Sequence, residues 1–331
     1  MFKTSLFFIL LLNFYTLPIL ADSNQPDTDM TGWSEFSLSH GKLTRYFRVY
    51  RPRSLADNPA VVFVLHGGTQ SMRKIFKKRA GGSQEWQTLA DKEGFLLIAP
   101  NGINIKKGDP GGDRQNWNDC RIPIKDNGSA STADDVGFID SLIDWSHQHY
   151  QTSLNRVYVS GASNGGMMTF RLLTELGSRF AAAAVFIANQ PVQSDCSEAG
   201  YAVPLMIMNS TDDPLVLWQG GQIRKKGPHL LSSEGTLRYW LKVNRSNTTM
   251  QLETLPDLNK ADHSRIIKRM FPATAAGSAD LWFYEVTGAG HTMPSIKYDV
   301  PMLARWLVGN QNKDLEATHE AWNFMKKYST K

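Results

Sequence analysis

Apolar residues in this chain of 331 residues form short, nearly continuous runs, separated by longer stretches in which apolar residues recur every three to four positions. Continuous runs are typical of strands covered on both faces, and the longer period is typical of amphipathic helices. The predicted strands cover residues 46–52, 60–67, 95–102, 156–161, 181–190, 203–210 and 279–288. The predicted helices cover residues 84–93, 133–149, 165–177, 232–244 and 313–328. This alternation predicts an α/β fold with a mostly parallel central sheet and helices on both faces.

Two further features of the pattern bear on the domain organisation. In residues 249–272, two apolar stretches flank a polar turn, which predicts a hairpin inserted before the last strand, and we interpret it as a surface excursion. No repeat and no Pro/Ser-rich linker divides residues 22–331, so we expect a single domain there. The connection between the predicted strands at 181–190 and 203–210 is short, which predicts an open, shallow surface without a large lid.

The first 21 residues have a different composition. Lys3 precedes the apolar run LFFILLLNFYTLPIL, which ends before Ala21 and a polar stretch. This order predicts a secretory signal peptide in residues 1–21, cleaved after Ala21, and an extracellular or periplasmic protein with no membrane contact afterwards. The alternative is a retained membrane anchor, but the run is shorter than the roughly 20 apolar residues that a span needs.

The formal net charge of +5 includes two basic clusters, at residues 73–79 and 224–226. The simpler interpretation is a solvated basic surface, and the alternative is an anionic partner or a carboxylate-bearing substrate. No nucleic-acid motif accompanies the charge. The two cysteines, Cys120 and Cys196, are too far apart for a C-x-x-C metal or redox pattern. In an exported chain they could form a structural disulfide, and the sequence leaves open whether they are bridged.

The segment GASNGG, residues 161–166, contains the pattern G-x-S-x-G around Ser163. It lies between a predicted strand and a predicted helix, where this pattern forms the sharp turn that exposes a nucleophilic serine. Small neighbours such as Gly161 and Gly165 allow such a turn, and the helix that follows places backbone N–H groups nearby. The context favours a nucleophile over a structural turn.

A serine nucleophile needs a histidine base and an acid, which follow it in the chain in this topology. Of the histidines after Ser163, we favour His291 because GAGHTMP directly follows a predicted strand. For the acid, the strand at 203–210 leads into TDDP, which offers Asp212 and Asp213. We favour Asp213, next to Pro214, while a turn-capping role for either carboxylate stays open.

The oxyanion that forms during acyl transfer needs hydrogen-bond donors. The backbone N–H of Asn164, the residue after the predicted nucleophile, is one candidate. The second is expected in the loop after the strand at 60–67, where His66, Gly67 and Gly68 allow the backbone to approach a substrate closely.

Together these segments resemble a known family. LHGGTQS, WND, ADDVGFIDSLID, NRVYVSGASNGGMM, DDPLVLWQGG, GAGHTMP and EATHEAWNFMKKY are similar in type and order to motifs of secreted esterases with the α/β-hydrolase fold. That family includes polyhydroxybutyrate depolymerases and feruloyl esterases. The resemblance covers most of residues 35–328.

The resemblance implies that Ser163 is the nucleophile, Asp213 the acid and His291 the base. It also implies that Gly68 and Asn164 donate to the oxyanion, and it favours Asp213 over Asp212.

Two residues depart from the family pattern. Met293 stands where the family often has Trp, and it alters an expected wall of the acyl pocket. Gly68 stands where depolymerases often have Cys, which leaves the backbone donor intact. Trp117 and Trp218 could each line the substrate cleft or belong to the core. Met293 and Trp218 are the predicted substrate-binding residues.

We therefore expect a secreted serine esterase that acts through an acyl-enzyme and requires no metal or organic cofactor. Its expected substrates are hydroxybutyrate or other hydroxyalkanoate oligomers, or feruloyl and acetyl esters on polysaccharides. The alternatives are a serine peptidase of the same fold and a non-catalytic carbohydrate-binding protein on an esterase scaffold. The sequence leaves the substrate and the oligomeric state open.

Overall fold

The computed structural model describes residues 30–77, 81–104, 106–122, 132–223 and 229–330. The predicted signal peptide and the basic cluster at 224–226 lie outside these ranges. In chain order the strands are β1 (Gly32–His40), β2 (Leu43–Arg51), β3 (Val61–Leu65), β4 (Leu96–Pro100), β5 (Val157–Ala162), β6 (Ala182–Phe186), β7 (Leu205–Ser210), β8 (Gly221–Gln222), β9 (His229–Leu230), β10 (Gln251–Thr254), β11 (Arg265–Phe271) and β12 (Leu281–Thr287). The helices are α1 (Glu85–Glu93), α2 (Asp135–Tyr150), α3 (Asn164–Leu176), α4 (Ser233–Asn244), α5 (Met302–Val308) and α6 (Ala317–Met325).

Ten of the strands form one sheet in the order β1-β2-β4-β3-β5-β6-β7-β12-β11-β10. Neighbouring strands from β4 to β12 in this order are parallel, and the pairs at both edges are antiparallel. The short strands β8 and β9 form a separate antiparallel pair. The sheet therefore has the mostly parallel centre that the sequence predicts.

Helices cover both faces of the sheet, and β3 shows why its sequence is continuously apolar. Val61, Phe63 and Leu65 pack on the face covered by α2, α3 and α4. Val62 and Val64 pack on the opposite face, where α1 and α6 lie. All five side chains are buried, because successive residues of a strand point to opposite faces. This is the α/β-hydrolase architecture that the sequence predicts.

Four regions differ from the sequence predictions or extend them. The predicted hairpin consists of β10 and β11, but it extends the main sheet through the pairing of β11 with β12 rather than forming an excursion. Strand β1, the β8–β9 pair and helix α5 are not predicted. Helix α5 has no buried residue, and Leu303 and Trp306 are 90% and 88% exposed.

The connection from β6 to β7 contains no helix, in agreement with the predicted absence of a large lid. Within the described ranges, no helix is long and apolar enough to cross a membrane.

Candidate active site

Ser163 occupies a sharp turn between β5 and α3. Its backbone has φ 57° and ψ −122°, a conformation that side-chain-bearing residues rarely adopt, and its N–H donates to the Phe186 carbonyl at 2.9 Å. The turn requires glycine on both sides. A Cβ on Gly161 would lie 2.2 Å from the Gly165 carbonyl oxygen, and a Cβ on Gly165 would lie 2.3 Å from the Leu65 carbonyl oxygen. The pattern G-x-S-x-G is therefore a steric requirement of this turn.

The loop after β3 lies against this turn. A Cβ on Gly67 would be 3.7 Å from the Ser163 Cβ, and a Cβ on Gly68 would be 3.5 Å from the Asn164 Cβ. Asn164 is the first residue of α3, so its backbone N–H has no acceptor in the preceding turn of the helix. The structure thus brings Gly68, Ser163 and Asn164 together.

His66 fixes the conformation of this loop as a neutral imidazole. Its Nε2 accepts from the Gly102 N–H at 3.0 Å, so Nδ1 carries the proton and donates to the Gly67 carbonyl at 2.9 Å. Burial lowers the pKa of His66 from 6.5 to about 4, and the nearby charge of Arg45 acts in the same direction. The ring also packs on Trp117, with 4.6 Å between the ring centroids.

His291 and Asp213 form a close pair at the carboxyl ends of β12 and β7. The imidazole Nδ1 lies 2.6 Å from Asp213 Oδ2, and the aspartate side chain is only 1% exposed. Asp213 Oδ1 accepts from the N–H groups of Leu215 and Val216, both at 2.8 Å. Both carboxylate oxygens are therefore occupied, which holds the carboxylate in one orientation towards the imidazole.

The neighbouring aspartate has a different environment. Asp212 is exposed, and its carboxylate accepts from the Thr211 hydroxyl at 2.8 Å. The structure thus brings Asp213, and not Asp212, to His291. Of the other histidines that follow Ser163, His229 and His263 are exposed, and His319 contacts Glu85.

Sheet topology explains how these residues come from distant parts of the chain. Strands β5, β6, β7 and β12 are parallel neighbours, so the residues that follow them lie along one edge of the sheet. Backbone bonds join the loops there: the Asp212 N–H donates to the Ala289 carbonyl, and the His291 N–H donates to the Val308 carbonyl. Ser163, Asp213 and His291 all follow strands at this edge.

The two predicted substrate-binding residues have different environments. Trp218 lines an open depression next to Asp213, together with Thr211, Asp212, Leu217 and Gln219. Met293 is instead buried among core residues, and the Ser83 hydroxyl donates to its sulfur at 3.9 Å. That Met293 forms a wall of the acyl pocket stays a prediction.

In the segment 116–121, the sequence singles out the motif WND, Trp117 and Cys120, but it predicts no role for Asp119. Asp119 is buried and accepts from the side-chain amide of Asn164, and Trp117 donates through Nε1 to the His66 carbonyl at 2.8 Å. Cys120 is joined to Cys196 by a disulfide, so the two cysteines are bridged as the sequence allowed. The motif WND, residues 117–119, was the available signal for this segment.

Charge and metal-binding potential add little to the site. In the basic cluster at 73–79, Arg73 is paired with Glu35 and lies 3.8 Å from Asp113, so carboxylates balance the charge of Arg73. Among the described residues, the one group with the ligand types and spacing for a metal is Cys120, Glu175 and Cys196. Its two sulfurs are bonded to each other and offer no thiolate.

The sheet order and the turn at Ser163 define the chain as a protein with the α/β-hydrolase fold. The model of the prolyl oligopeptidase family matches residues 111–197, which contain the Ser163 turn but neither Asp213 nor His291. Among solved structures, the fold is similar to that of acetyl xylan esterase from Aspergillus awamori, with a TM-score of 0.52 and 18% identity over 79% of this chain and 95% of that chain.

The chain is also similar to curated proteins named as acetylxylan esterase, poly(3-hydroxybutyrate) depolymerase and feruloyl esterase. The bifunctional acetylxylan esterase/xylanase XynS20E of Neocallimastix patriciarum is 27% identical over 53% of this chain and 22% of that protein. The poly(3-hydroxybutyrate) depolymerase of Ralstonia pickettii is 28% identical over 58% of this chain and 38% of that protein. Feruloyl esterase B of Talaromyces stipitatus is 28% identical over 54% of this chain and 44% of that protein.

The chain therefore matches less than half the length of each of these three relatives. The fold and these similarities together confirm the resemblance to the α/β-hydrolase esterases that include polyhydroxybutyrate depolymerases and feruloyl esterases.

Proposed function

We propose that this protein is a serine esterase in which Ser163, His291 and Asp213 form the catalytic triad. The observation that carries the proposal is the 2.6 Å contact between His291 Nδ1 and the buried Asp213 carboxylate, on the sheet edge that also carries the Ser163 turn. A buried carboxylate at Nδ1 keeps Nε2 unprotonated and stabilises the imidazolium that forms when Nε2 takes a proton.

In the proposed reaction, His291 Nε2 accepts the Ser163 hydroxyl proton as the serine oxygen attacks the ester carbonyl. The backbone N–H groups of Gly68 and Asn164 donate to the oxyanion of the tetrahedral intermediate. The imidazolium then protonates the departing alcohol, which leaves the acyl group on Ser163. A water molecule, deprotonated by the same imidazole, attacks the acyl-enzyme, and the imidazolium returns the proton to the serine oxygen as the carboxylic acid leaves.

We propose carboxylic esters on bulky or oligomeric molecules as substrates. The connection from β6 to β7 contains no helix to cover the site, which suits an ester that approaches from an open surface. The names of the relatives point to two groups of esters, namely hydroxybutyrate oligomers, and acetyl or feruloyl groups on polysaccharides. We also propose that the protein is exported, which the apolar run before Ala21 and the disulfide support.

The second candidate is a serine peptidase, which the match of the prolyl oligopeptidase family model to residues 111–197 favours. A panel of p-nitrophenyl acetate, methyl ferulate, acetylated xylan, hydroxybutyrate oligomers and prolyl peptides separates the two. We expect turnover of at least one ester. Cleavage of peptides alone would establish the peptidase, and inactivity on every substrate would contradict both.

The catalytic assignment is tested by fluorophosphonate labelling and by kcat for the best ester in the panel. We expect Ser163→Ala to abolish labelling, and Ser163→Ala, His291→Ala and Asp213→Asn each to lower kcat by about 10³-fold or more. Asp212→Asn is the matched control, with an expected change of less than about tenfold. Equal labelling of the wild type and Ser163→Ala would refute the nucleophile, and a larger loss in Asp212→Asn than in Asp213→Asn would refute the acid. A carbohydrate-binding protein without catalysis would show neither labelling nor turnover.

A further inference from the structure

Asn164 is held by its side chain as well as by helix α3. Its Oδ1 accepts from the Trp117 N–H at 2.8 Å, while its Nδ2 donates to Asp119 Oδ2 and, at 3.4 Å, to the Trp117 carbonyl. The orientation of the amide is defined, because its oxygen faces a backbone donor and its nitrogen faces a carboxylate. Neither contact would survive if the amide oxygen and nitrogen exchanged places. Asn164 and Asp119 are each 5% exposed, so water competes little for these bonds.

The Asp119 carboxylate is itself fixed by Arg121. Arg121 Nε donates to Asp119 Oδ1 and its Nη2 donates to Oδ2, both at 2.7 Å. This paired geometry is the most directional that a guanidinium and a carboxylate can form. The Asn164 amide therefore binds a carboxylate that has little freedom to rotate.

The backbone of the same segment is anchored on both sides of Asp119. On one side, the Asn118 N–H donates to Asp135 and its carbonyl accepts from Arg171, both at 2.8 Å. On the other side, Cys120 is bonded to Cys196, and the Cys120 carbonyl accepts from the Asp195 N–H at 3.0 Å. Asp119 is thus attached to a rigid loop that lies outside helix α3.

The segment also reaches the other proposed oxyanion donor. Trp117 Nε1 donates to the His66 carbonyl, and a Cβ on Gly68 would lie 3.0 Å from Asn116 Oδ1. Residues 116–119 therefore contact both the loop that carries Gly68 and the side chain of Asn164.

We propose that Asp119 is a positioning residue of the oxyanion hole, which holds the Asn164 amide so that the backbone N–H groups of Asn164 and Gly68 converge on one oxygen. This proposal rests on the proposed esterase function. The oxyanion exists in the transition state and is only a neutral carbonyl in the bound substrate, so a misplaced donor lowers kcat and leaves KM nearly unchanged.

The test uses Asp119→Ala, which removes the acceptor for Asn164, and Asp119→Asn, which retains an acceptor oxygen in the same place. With the best ester from the panel, we expect Asp119→Ala to lower kcat by about 10-fold to 100-fold, with KM within about twofold of the wild type. We expect Asp119→Asn to recover a large part of that loss. The fluorophosphonate labelling rate should fall in parallel, because the phosphonyl oxygen occupies the same position.

Asp280→Ala is the matched control. This carboxylate accepts hydrogen bonds from the Ala273 N–H and the Tyr328 hydroxyl, but it lies at the amino end of β12, on the opposite edge of the sheet from Ser163. We expect the thermal midpoint of the Asp280→Ala variant to fall and the kcat of the variant, per folded molecule, to remain at the wild-type value. Active-site titration supplies the folded fraction for every variant.

Hydrogen exchange of the peptide around residues 160–170 gives a measurement that does not require esterase activity. We expect faster exchange there in Asp119→Ala than in Asp119→Asn or Asp280→Ala. If the wild type hydrolyses no ester but exchange still rises, the proposed function fails and the positioning role stands. Unchanged exchange together with wild-type kcat in folded Asp119→Ala would overturn the positioning role, as would a loss of kcat fully accounted for by unfolded protein.

Discussion

His66 illustrates how a single buried side chain obtains its chemistry from its surroundings. The Gly102 N–H and the Gly67 carbonyl occupy its two nitrogens, and the charge of Arg45 nearby disfavours a proton on the ring. The same imidazole in water would be half protonated near pH 6.5. In the protein it is a neutral hydrogen-bonding element that connects two loops at the carboxyl edge of the sheet, so its role differs from the one proposed for His291.

Protonation of His66 should make stability depend on pH. The unfolded chain binds a proton at this side chain near its ordinary pKa of 6.5, whereas the folded protein binds it only near about 4. The free energy of unfolding therefore falls as pH falls through that window, by about 3 kcal/mol in total and by about 1 to 2 kcal/mol between pH 6.5 and pH 5.

Urea denaturation at these two pH values measures the effect. Comparison with His66→Asn, which cannot titrate in this range, isolates the histidine from the carboxylates. We expect the wild type to lose about 1 to 2 kcal/mol more than the variant on acidification. Equal losses in the two proteins would contradict the assignment of a neutral buried imidazole.

Among the elements, helix α4 begins after a polar residue, Ser232, that caps its N-terminus. Ser232 precedes the helix with an extended backbone, and its hydroxyl accepts from the Gly235 N–H at 2.9 Å. The helix then buries Leu237 and Trp240 against the sheet. The loop after His291 is held instead by ion pairs with residues that are far away in the chain.

The loop that follows His291 is attached to α1 through Lys297 and Glu85, and the Lys297 N–H donates to Glu316, the residue before α6, at 2.7 Å. Lys297 donates to the buried Glu85 of α1 at 2.8 Å, and His319 of α6 contacts the same carboxylate at 2.9 Å. Burial raises the pKa of Glu85, but the bonds from Lys297 and His319 outweigh it and hold the pKa below its ordinary value. The position of the loop that carries His291 thus depends on elements far away in the chain.

Removal of the α4 cap should destabilise the protein without changing its chemistry. Ser232→Ala leaves the Gly235 N–H without its side-chain acceptor, which should lower the free energy of unfolding by about 1 kcal/mol. Ser232→Asp retains an acceptor and should lie within about 0.5 kcal/mol of the wild type. Chemical denaturation measures both values. An equal loss in the two variants would show that the hydroxyl has another function.

At the scale of the whole molecule, a disulfide joins two loops at the carboxyl edge of the ten-stranded sheet. The disulfide joins the segment after β4 to the connection between β6 and β7, across 76 residues of sequence. The two ends already meet through the Asp195 N–H and the Cys120 carbonyl. The bond therefore restricts the unfolded chain more than it alters the folded one.

Loss of the disulfide should lower the free energy of unfolding by on the order of 4 kcal/mol, the value for a loop of this length in the chain-entropy model. The double variant Cys120→Ser with Cys196→Ser, compared with the wild type by urea denaturation, measures it. The chain has two cysteines, so a reductant should shift the wild type to the stability of the double variant and leave that variant unchanged. A shift of the double variant by the reductant would indicate an effect unrelated to this bond.

The sequence was most informative where the fold depends on local patterns. The central strands such as β3 are buried on both faces, so their apolar runs identify them directly. Strand β1 was missed because its residues are only partly buried and mostly polar, which leaves a weak alternation. The β10–β11 hairpin was recognised, but its membership in the main sheet depends on β12, which is separate from it in the chain.

For the candidate site, the sequence by itself determined the Ser163 turn and the order of Ser163, Asp213 and His291, because sterically required glycines and strand ends leave local signals. Only the tertiary structure decided which side chains hold them in place. The bond from Asn164 to Asp119 spans 45 positions, and the pair of Lys297 with Glu85 spans 212. Such partners meet because the carboxyl ends of parallel strands lie at the same edge of the sheet. The periodicity within one segment does not specify which distant loop lies next to it in the fold.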